Sequence, residues 1–359
     1  MGVKIVSFRI SKVAIPLAKP FVTALRRVEA VEAAAIELYD VSALCGIGEA
    51  PGSFAVTGET LESIVRTIEE KIMPLLLYRD FLSLQEALEV LFGCCEGSGS
   101  AKAAVDMALH DLWSKRVGID SIPYLAAEEV ELATDVTISL DRPEVMAMDA
   151  RKAVQCGYDI LKVKVGGGDG LDILRVEAVR EAAPSAKVLV DANQAWSEEE
   201  AMRVIEAISP FGIELVEQPV LADEMEGMRR ITKSSEIPIL ADESIFTLDD
   251  AVRVIEGGCA DMVNVKVMKC GGLFKAAEIL SWCEENRIGC MIGSMLESPR
   301  SIAAAMRLAG RYDSVVRYID LDSPLLYEKL PESAPMTIWK NRLKLKSRQV
   351  KRSLPPIRL

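Results

Sequence analysis

The chain has 359 residues, of which 50% are apolar and 5% aromatic, and this suffices for one large core and a second, smaller domain. Its formal net charge of −12 argues against nucleic acid and anionic membranes as partners, because both would be repelled. The first ten residues alternate like a strand and lack a signal-peptide core, and no apolar run is long enough to span a membrane. We therefore expect a cytoplasmic protein.

The first third of the chain predicts a compact α+β unit. Residues 5 to 39 alternate as strands do, and residues 60–76 and 101–115 carry apolar side chains three and four positions apart, as in amphipathic helices. The second helical stretch contains His110, the only histidine, which we expect to be structural. We assign residues 1–125 to a capping domain.

The cysteines do not indicate a disulfide framework. They are scattered, lie mostly within apolar stretches, and form no CxxC pair. In a cytoplasmic protein such residues stay reduced and behave as small hydrophobic side chains. We expect all of them to be reduced core residues: Cys45, Cys94, Cys95, Cys156, Cys259, Cys270, Cys283 and Cys290.

The middle of the chain is a strand/helix repeat. Apolar runs end in a polar or ionisable residue at successive intervals of 24 to 28 residues, namely at Thr137, Lys164, Asp191, Glu217, Asp242, Lys266, Ser294 and Asp320. Each interval accommodates one strand, one helix and two loops, and eight such units close into a parallel barrel. The strands are nearly continuously apolar because helices cover their outer faces. The sequence therefore predicts an α/β protein with a modified (β/α)8, TIM-like barrel over residues 126–322.

The last segment, residues 323–359, differs from the repeat, and we expect it to return to the capping domain. From residue 335 onward it has no Asp or Glu, whereas its basic residues are Lys340, Arg342, Lys344, Lys346, Arg348, Lys351, Arg352 and Arg358. The alternating RLKLK motif favours a pair of strands that packs against an acidic neighbour. A tail that binds a polyanion is the alternative.

Three carboxylates end consecutive strands, at Asp191, Glu217 and Asp242. A single carboxylate at such a position is usually a helix cap or half of a salt bridge. Three of them at matching positions converge at the barrel mouth and repel one another unless a cation is present. Hard oxygen ligands without a nearby His or Cys select Mg2+, with Mn2+ as a possible substitute.

Lysines flank this predicted metal site. Lys162 and Lys164 lie two apart on one strand and project to the same face, while Lys266 ends a strand on the opposite side of the barrel. Burial, the neighbouring lysine and a bound metal should all lower the pKa of Lys164 or Lys266, so that one of them can act as a neutral base. Two such lysines can exchange a proton at a carbon next to a carboxylate, with the metal stabilising the enediolate.

Several motifs resemble those of the muconate-lactonising subgroup of the enolase superfamily, and in particular its dipeptide epimerases, including the L-Ala-D/L-Glu epimerases. The motifs are LKVKVG, VDANQAW, IELVEQPV, ILADES, VNVKVMKCGG, GSMLES and DLDSP, together with IPLAKPFVTALR and GEAPGSFAVTGE in the capping domain. The resemblance implies a (β/α)7β barrel whose cap is built from the N-terminal domain and the C-terminal segment. It also implies a dipeptide of the Ala-Glu type as substrate and, for this architecture, a homo-oligomer.

Carried over position by position, the resemblance assigns roles to the candidate residues. Lys164 and Lys266 become the acid/base pair, Lys162 supports the substrate carboxylate, and Asp191, Glu217 and Asp242 bind magnesium. The substrate-binding residues become Arg26 for an acidic side chain, Asp320 and Asp322 for the α-ammonium group, and Thr137, Ser294 and Leu296 for the pocket wall. Recycling of cell-wall peptides is the pathway that the resemblance implies.

Two alternatives stay open at this stage. The first is another enzyme of the subgroup, such as an N-acylamino acid racemase, an o-succinylbenzoate synthase or a muconate cycloisomerase. Their substrates lack a free α-ammonium group and give Asp320 and Asp322 no purpose. The second is a non-catalytic barrel that binds a partner, which would need neither both lysines nor all three metal ligands.

Overall fold

The strands of this computed structural model, which describes residues 2–22 and 27–346, form three sheets. The first sheet has the order β3-β2-β1-β4, the second is an eight-stranded sheet in the order β6 to β13, and the third has the order β14-β15-β5. The strands are β1 (Val3–Val22), β2 (Arg27–Asp40), β3 (Cys45–Pro51), β4 (Asp80–Phe81), β5 (Glu131–Ala133), β6 (Val136–Ile138), β7 (Ile160–Lys164), β8 (Lys187–Asp191), β9 (Ile213–Glu217), β10 (Ile239–Ala241), β11 (Met262–Lys266), β12 (Gly289–Gly293), β13 (Val316–Asp320), β14 (Met336–Trp339) and β15 (Arg342–Leu345).

Helices cover the outside of the barrel, and others pack with the strands of the cap. They are α1 (Phe54–Thr57), α2 (Leu61–Thr67), α3 (Met73–Leu76), α4 (Leu84–Gly93), α5 (Gly99–Val117), α6 (Pro143–Gln155), α7 (Asp172–Ala182), α8 (Glu198–Ile208), α9 (Met225–Ser234), α10 (Leu248–Glu256), α11 (Val267–Cys270), α12 (Leu273–Asn286), α13 (Pro299–Arg311) and α14 (Ser323–Leu326). A π-helical turn, Ile68–Ile72, joins α2 to α3, and short 3-10 turns lie at Ile119–Ser121 and Ser209–Phe211.

The eight-stranded sheet confirms the predicted barrel. Its strands β6 to β13 pair in parallel with their sequence neighbours. The first and last strands meet through backbone and side-chain hydrogen bonds, in which the N–H of Asp135 donates to the carbonyl of Ile319 at 3.0 Å and the N–H of Leu321 donates to Thr134 Oγ1 at 2.9 Å. Every functional strand end therefore opens onto one mouth.

The barrel interior is layered, because side chains two apart on a strand point to the same face. One buried apolar cluster consists of Leu189, Leu215, Leu240 and Met291. Leu189, Leu215 and Met291 each lie two residues before the last residue of their strand, and Leu240 lies two residues before Asp242, which directly follows β10. The next inward-facing positions on three of these strands are Asp191, Glu217 and Asp242. An apolar floor thus separates the charged mouth from the closed end of the barrel.

The outer helices follow from amphipathic repeats with N-terminal caps. In α8 the buried residues are Ala201, Val204, Ile205 and Ile208, which share one face of the helix. Ser197 caps the helix by accepting a hydrogen bond from the N–H of Glu200 at 3.2 Å. Acidic residues fill the first turn, where the helix dipole favours negative charge. The same design recurs in α10, where Thr247 caps the helix by accepting a hydrogen bond from the N–H of Asp250 at 3.1 Å.

In the capping domain an antiparallel meander packs on one buried helix. Strands β1, β2 and β3 pair antiparallel, and α5 packs against β3 closely enough that a Cβ on Gly48 would lie 1.9 Å from the carbonyl oxygen of Ala104. Both predicted helical stretches are present, although the first is interrupted by the π-helical turn. The sequence analysis missed α4, whose N-terminal cap is Ser83.

The cap and the barrel are joined through the N-terminus of α12. Asp106, which is buried in α5, accepts hydrogen bonds from the N–H groups of Leu273 at 2.7 Å and Phe274 at 3.4 Å. Gly272 precedes this helix with a φ of +146°, and a Cβ at that position would lie 2.4 Å from the Asp106 Cγ. A residue of one domain thus caps a helix of the other.

The hairpin of β1 and β2 reaches the barrel mouth. The N–H of Leu140 donates to the carbonyl of Val22 at 3.1 Å, just after β6. Five residues earlier in β1, Leu17 forms a β-bridge with Tyr327, which follows α14. These contacts place the cap next to the ends of the barrel strands.

The C-terminal segment contacts the cap and then returns beside the start of the barrel. After the bridge from Tyr327 to Leu17, strands β14 and β15 form a hairpin, and β15 pairs with β5. Lys344 lies 2.8 Å from a carboxylate oxygen of Glu129 and 3.9 Å from one of Glu131. The predicted strand pair against an acidic neighbour is confirmed, whereas residues 347–359 lie outside the described part of the chain.

The cysteines are free thiols at positions of differing burial, and the histidine is a buried hydrogen-bonded residue. All eight cysteines are free, and Cys259, Cys270, Cys283 and Cys290 are buried. The expectation of core residues is wrong for Cys156, which is exposed because it follows the last turn of α6, and it holds only in part for the half-buried Cys45, Cys94 and Cys95. His110 is buried between the carbonyl of Asp106, 2.8 Å from Nδ1, and the hydroxyl of Tyr124, 2.7 Å from Nε2. Among the helices of residues 2–22 and 27–346, none is long and apolar enough to cross a membrane.

Candidate active site

A cavity lies at the barrel mouth beneath the cap. Phe21 of β1 and Val56 of α1 contribute the cap side of its lining. The barrel side consists of Thr137, Lys164, Asn193, Asp242, Glu243, Lys266, Ser294, Met295, Leu296, Asp320 and Asp322. The strand-end residues that the sequence pointed to are therefore brought to one place. Arg26, the predicted partner of an acidic side chain, lies outside the described residues.

Lys162 is the centre of a buried charge network. Its ammonium group lies 2.6 Å from an oxygen of Asp320, 2.7 Å from one of Glu217 and 3.1 Å from one of Asp191. The side chain is 1% exposed, so these contacts operate without screening by water. Burial alone would lower the pKa of Lys162, but the surrounding carboxylates raise it well above its ordinary value. Lys162 is therefore a permanent cation below the cavity.

Lys164 and Lys266 lie on opposite sides of the cavity and bind different carboxylates. Lys164 Nζ is 2.5 Å from Asp191 Oδ2, and Lys266 Nζ is 2.6 Å from Asp242 Oδ2. The strands that carry them, β7 and β11, are separated by three others in the barrel sheet. Gly293 leaves space for one of them, since a Cβ there would lie 2.9 Å from Lys266 Cε. The two ammonium groups thus face the cavity from two directions.

The charge state of Lys266 differs from the sequence prediction. Burial lowers its pKa, but Asp242 and Glu217 outweigh burial and raise the pKa above its ordinary value. The predicted lowering includes the charge of a bound metal; without that charge, the contact with Asp242 sets the direction of the shift. Lys266 is therefore protonated at neutral pH while Asp242 remains its partner.

The carboxylates respond to the same contacts in opposite ways. Burial raises the pKa of Asp191, but Lys164 and Lys162 lower it to about 2. Burial and Asp191 raise the pKa of Glu217 to about 8. Lys162 is close to both acids, at 3.1 Å from Asp191 and 2.7 Å from Glu217. The difference arises because the second lysine of Asp191, Lys164, lies at 2.5 Å, whereas that of Glu217, Lys266, lies at 4.0 Å, and because Glu217 stands between two other acids. The middle carboxylate is the one that most lacks a compensating positive charge.

The three predicted ligands offer carboxylate oxygens, the donors that suit a hard cation. Lysine ammonium groups lie between them, Lys162 between Asp191 and Glu217 and Lys266 between Glu217 and Asp242. Within residues 2–22 and 27–346, their oxygens do not all come within 4.8 Å of one another. A divalent cation would supply the positive charge that Glu217 lacks and would draw the three groups together.

The sequence analysis missed a second set of polar residues that hold these carboxylates. Lys269 Nζ donates to the side chain and the backbone carbonyl of Asp242 and, at 3.2 Å, to the carbonyl of Asn264. Asn264 Nδ2 donates to Glu217 Oε1 at 2.9 Å. Asn264 lies two residues before Lys266 and so shares its inward face, a period-2 signal that could have been used. Lys269 gave no such signal, because it lies in the loop helix α11.

Asn193 extends this set beside the predicted metal ligands. Its N–H donates to Asp191 Oδ1 at 2.9 Å, and its Nδ2 donates to Glu243 Oε1 at 3.1 Å. The residue adopts a left-handed φ of +44°, a conformation that asparagine tolerates better than most residues. Burial and Asp242 raise the pKa of Glu243 to about 7. Asn193 thus binds one oxygen of Asp191 and leaves the other for Lys164. Lys269 likewise binds one oxygen of Asp242 and leaves the other for Lys266.

The predicted substrate residues line the opposite part of the cavity. The N–H of Thr137 donates to Asp322 Oδ2 at 2.7 Å, and Ser294 Oγ donates to the carbonyl of Asp320 at 3.3 Å. Burial and the neighbouring Asp320 raise the pKa of Asp322 to about 6. Leu296 is nearly buried and packs with Leu17 of the cap hairpin. The result is an acidic end of the cavity that is complementary to a cationic group.

Glu297 is a buried acid that should make stability depend on pH. Its Oε1 accepts from the N–H of Met295 at 2.9 Å and its Oε2 accepts from Ser301. Burial raises its pKa from 4.5 to about 7. The folded protein then binds a proton that the unfolded chain releases above pH 4.5, so its stability falls as pH rises towards 7, by roughly 3 kcal/mol in total.

We expect Glu297→Gln to remove this dependence. The free energy of unfolding of the variant relative to the wild type should rise between pH 4.5 and 7 and stay constant above that range. Urea unfolding of both proteins at each pH measures the difference, with the exposed Glu285→Gln as control. A difference that does not change with pH would show that Glu297 does not titrate there.

Two family models match the chain. The model described as "Mandelate racemase / muconate lactonizing enzyme, N-terminal domain" matches residues 5–125, and the model described as "Enolase C-terminal domain-like" matches residues 145–347. The chain is 44% identical over 334 residues to the L-amino acid-D/L-Glu epimerase of Sulfurimonas denitrificans, with 92% of this chain and 96% of the relative covered. It is 38% identical over 327 residues to the L-Ala-D/L-Glu epimerase of Bacillus subtilis, with 90% and 89% covered.

Solved structures agree with these relatives. The substrate-liganded complex of the L-Ala-D/L-Glu epimerase from Bacillus subtilis superimposes with a TM-score of 0.91 at 35% identity and covers 96% of each chain. The dipeptide epimerase from Enterococcus faecalis, complexed with Mg and the dipeptide L-Leu-L-Tyr, superimposes with a TM-score of 0.87 at 34% identity and covers 96% of this chain and 98% of its own. The chain therefore belongs to the mandelate racemase/muconate lactonizing enzyme family of the enolase superfamily.

Proposed function

We propose that the protein is a magnesium-dependent dipeptide epimerase that inverts the α-carbon of the C-terminal residue of a dipeptide of the Ala-Glu type. The observation that carries this proposal is the placement of Lys164 and Lys266 on opposite sides of one acidic cavity, each in contact with a carboxylate. Relatives named as dipeptide epimerases or L-Ala-D/L-Glu epimerases, at 36% to 40% identity, support the substrate class.

Asp191, Glu217 and Asp242 would hold the magnesium ion. Their hard oxygen atoms suit it, and the excess negative charge around Glu217 gives it a purpose. Related structures contain Mg together with a dipeptide, including the epimerases of Enterococcus faecalis and Methylococcus capsulatus. When bound, magnesium would neutralise the substrate carboxylate and the charge that develops on it as the α-proton leaves.

The two lysines perform the proton transfer. One lysine in its neutral form takes the α-proton from one face of the substrate carbon, and the other, as an ammonium group, returns a proton to the opposite face. Lys266 is a suitable acid, because Asp242 and Glu217 keep it protonated. Lys164 and Lys266 exchange these roles when the reaction runs from the other epimer. Lys162 remains a cation and stabilises negative charge at the substrate carboxylate.

The acidic end of the cavity would bind the substrate's α-ammonium group. Asp320 and Asp322 are 6% and 5% exposed, and both contribute to the cavity lining. A charged hydrogen bond at such a buried place is stronger than one in water, and it rejects a substrate whose amine is acylated. Thr137, Ser294 and Leu296 would form the pocket wall, and Arg26 would contact the acidic side chain.

Deuterium incorporation tests the proposed function. Purified protein is incubated with Mg2+ and a library of L,L-dipeptides in deuterium oxide, and mass spectrometry detects the exchange of one hydrogen. We expect exchange at the α-carbon of the C-terminal residue, greatest for Ala-Glu and absent after chelation. Turnover of N-acylated amino acids instead, without exchange in any dipeptide, would assign the protein to another activity of the family.

Lys269 offers a separate test of the metal site. Because its ammonium group holds the side chain and backbone of Asp242, we expect Lys269→Met to weaken Mg2+ affinity about tenfold. Calorimetric titration of substrate-free protein with Mg2+ measures this change. Lys275→Met is the matched control, since Lys275 is partly exposed and pairs with Glu278. Equal affinities of the wild type and the Lys269 variant would contradict the orienting role.

We also propose a cytoplasmic location, a homo-oligomeric state and a role in the recycling of cell-wall peptides. The family resemblance supports all of these. Light scattering coupled to size-exclusion chromatography determines the oligomeric state directly.

A further inference from the structure

Asp135 has no role in the mechanism described above. It precedes β6 at the seam where the barrel closes and is 0% exposed. Neither of its carboxylate oxygens has a hydrogen-bond partner in the described part of the chain, which is unusual for a buried polar group. One of these oxygens and one oxygen each from Asp320 and Asp322 all lie within 4.8 Å of one another. Three buried acids therefore face a common point.

We propose that Asp135, Asp320 and Asp322 bind one dehydrated monovalent cation, K+ or Na+, beneath the substrate cavity. The centre of a triangle with sides of 4.8 Å is about 2.8 Å from each corner, which is roughly a contact distance between oxygen ligands and such an ion. The position is distinct from the predicted magnesium ligands Asp191, Glu217 and Asp242. Asp135 is absent from the lining of the cavity, so the ion lies below the surface that a substrate would touch.

The local charge favours a cation over a water molecule. Of the three acids, Asp320 is in contact with Lys162 at 2.6 Å, and Asp322 accepts from the N–H of Thr137 at 2.7 Å. Asp135 has neither kind of partner. Within the described ranges, Lys162 is thus the lysine in contact with this group of three carboxylates, and it contacts Asp320. A second positive charge would relieve the repulsion among the three acids.

A monovalent ion fits this place better than magnesium. Mg2+ gives up its water ligands reluctantly and usually keeps several of them. The three residues are at most 6% exposed, which leaves little room for the water ligands that Mg2+ retains. An alkali ion loses its hydration shell more readily and accepts ligands in irregular geometry. Lys162 already supplies part of the compensating charge, so one further unit of charge is sufficient.

The ion would also serve the substrate end of the cavity, and this part of the inference rests on the proposed function. Burial and the repulsion between Asp320 and Asp322 raise the pKa of Asp322 to about 6. A cation between the three acids would favour the ionised form, which is the form that binds an ammonium group. The monovalent cation and the dipeptide ammonium would then lie on opposite sides of the same pair of carboxylates.

Thermal unfolding of the substrate-free, Mg2+-loaded protein tests the site. Melting temperatures are compared in KCl, NaCl and tetramethylammonium chloride at equal ionic strength, because tetramethylammonium is too large to enter. We expect K+ or Na+ to raise the melting temperature saturably by about 2 °C or more. Asp135→Asn should remove this difference, whereas Asp313→Asn, at an exposed position, should keep it. Equal melting temperatures of the wild type in all three salts would overturn the proposal.

Thallium provides a second measurement that does not depend on a variant. Tl+ substitutes for K+ and scatters X-rays strongly, so crystals of the wild type soaked in a thallium salt should show one anomalous peak between the three carboxylates. Excess K+ should remove it. A map without a peak at this position would overturn the proposal. Both experiments omit the dipeptide, so a protein that failed as an epimerase would still reveal its cation site, and an active epimerase without the site would be recognised as well.

Discussion

Replacing either Lys164 or Lys266 with alanine is expected to reduce the rate of epimerisation about 1,000-fold, the typical contribution of a positioned acid or base. Each variant should still fold, because the carboxylate that loses one lysine keeps another. Asp191 retains Lys162 at 3.1 Å, and Asp242 retains its contact with Lys269. The loss would therefore report on chemistry and not on an unpaired buried charge.

Isotope exchange separates the two lysines. With one lysine present, the enzyme can still remove a proton from one epimer and return a deuteron to the same face, so exchange without inversion should persist for that epimer alone. The two variants should retain exchange with opposite epimers. Lys187→Ala, at an exposed position on β8, is the control and should leave both rates unchanged. Full inversion in either variant would contradict the two-lysine mechanism.

Asp322→Asn is expected to lower kcat/KM for Ala-Glu about 100-fold, because a neutral amide replaces a charged hydrogen-bond partner of the substrate ammonium group. Asp322 is the better choice of the two acids, since Asp320 also binds the buried ammonium group of Lys162 at 2.6 Å. Asparagine keeps the volume of the side chain and its carbonyl oxygen, which can still accept from the N–H of Thr137. The effect should therefore appear mainly in substrate binding.

A matched pair of substrates gives this prediction its control. N-acetylated Ala-Glu lacks the ammonium group and should be a poor substrate of the wild type. Its kcat/KM should change little in the variant, so the preference for the free amine should fall about 100-fold. If Asp322→Asn lowered both values equally, Asp322 would act on the fold or on the reaction step and not on recognition of the amine.

The position of the charged strand-end residues could be predicted because one geometric rule applies to all parallel barrels. In a parallel barrel the last residue of each strand faces the same mouth, so the regular spacing of Lys164, Asp191, Glu217, Asp242 and Lys266 implied their convergence. The structure brings all of them to one charge network. The apolar residues two positions earlier, such as Leu189 and Leu215, follow from the same alternation.

Other parts of the site depend on contacts that have no signature in the sequence. Lys269 reaches Asp242 from the helical loop after β11, and Glu297 lies in the loop after β12, where no fixed period applies. Asp135 acquires its surroundings from the closure of the barrel, which joins residues at distant positions in the chain. The raised pKa of Lys266 also lacks a sequence signature, because the contact with Asp242 outweighs burial.

The cap of helix α12 has a consequence for biosynthesis. Asp106 precedes Leu273, the residue whose N–H it accepts, by 167 positions, so it leaves the ribosome long before the helix that it caps. Domains generally fold in the order in which they are made. The N-terminal unit can thus be folded before the segment from Lys266 to Leu273 leaves the ribosome. That segment can then pack against a surface that is already folded. The part of the chain that covers the cavity is then also a template for the part that carries Lys266.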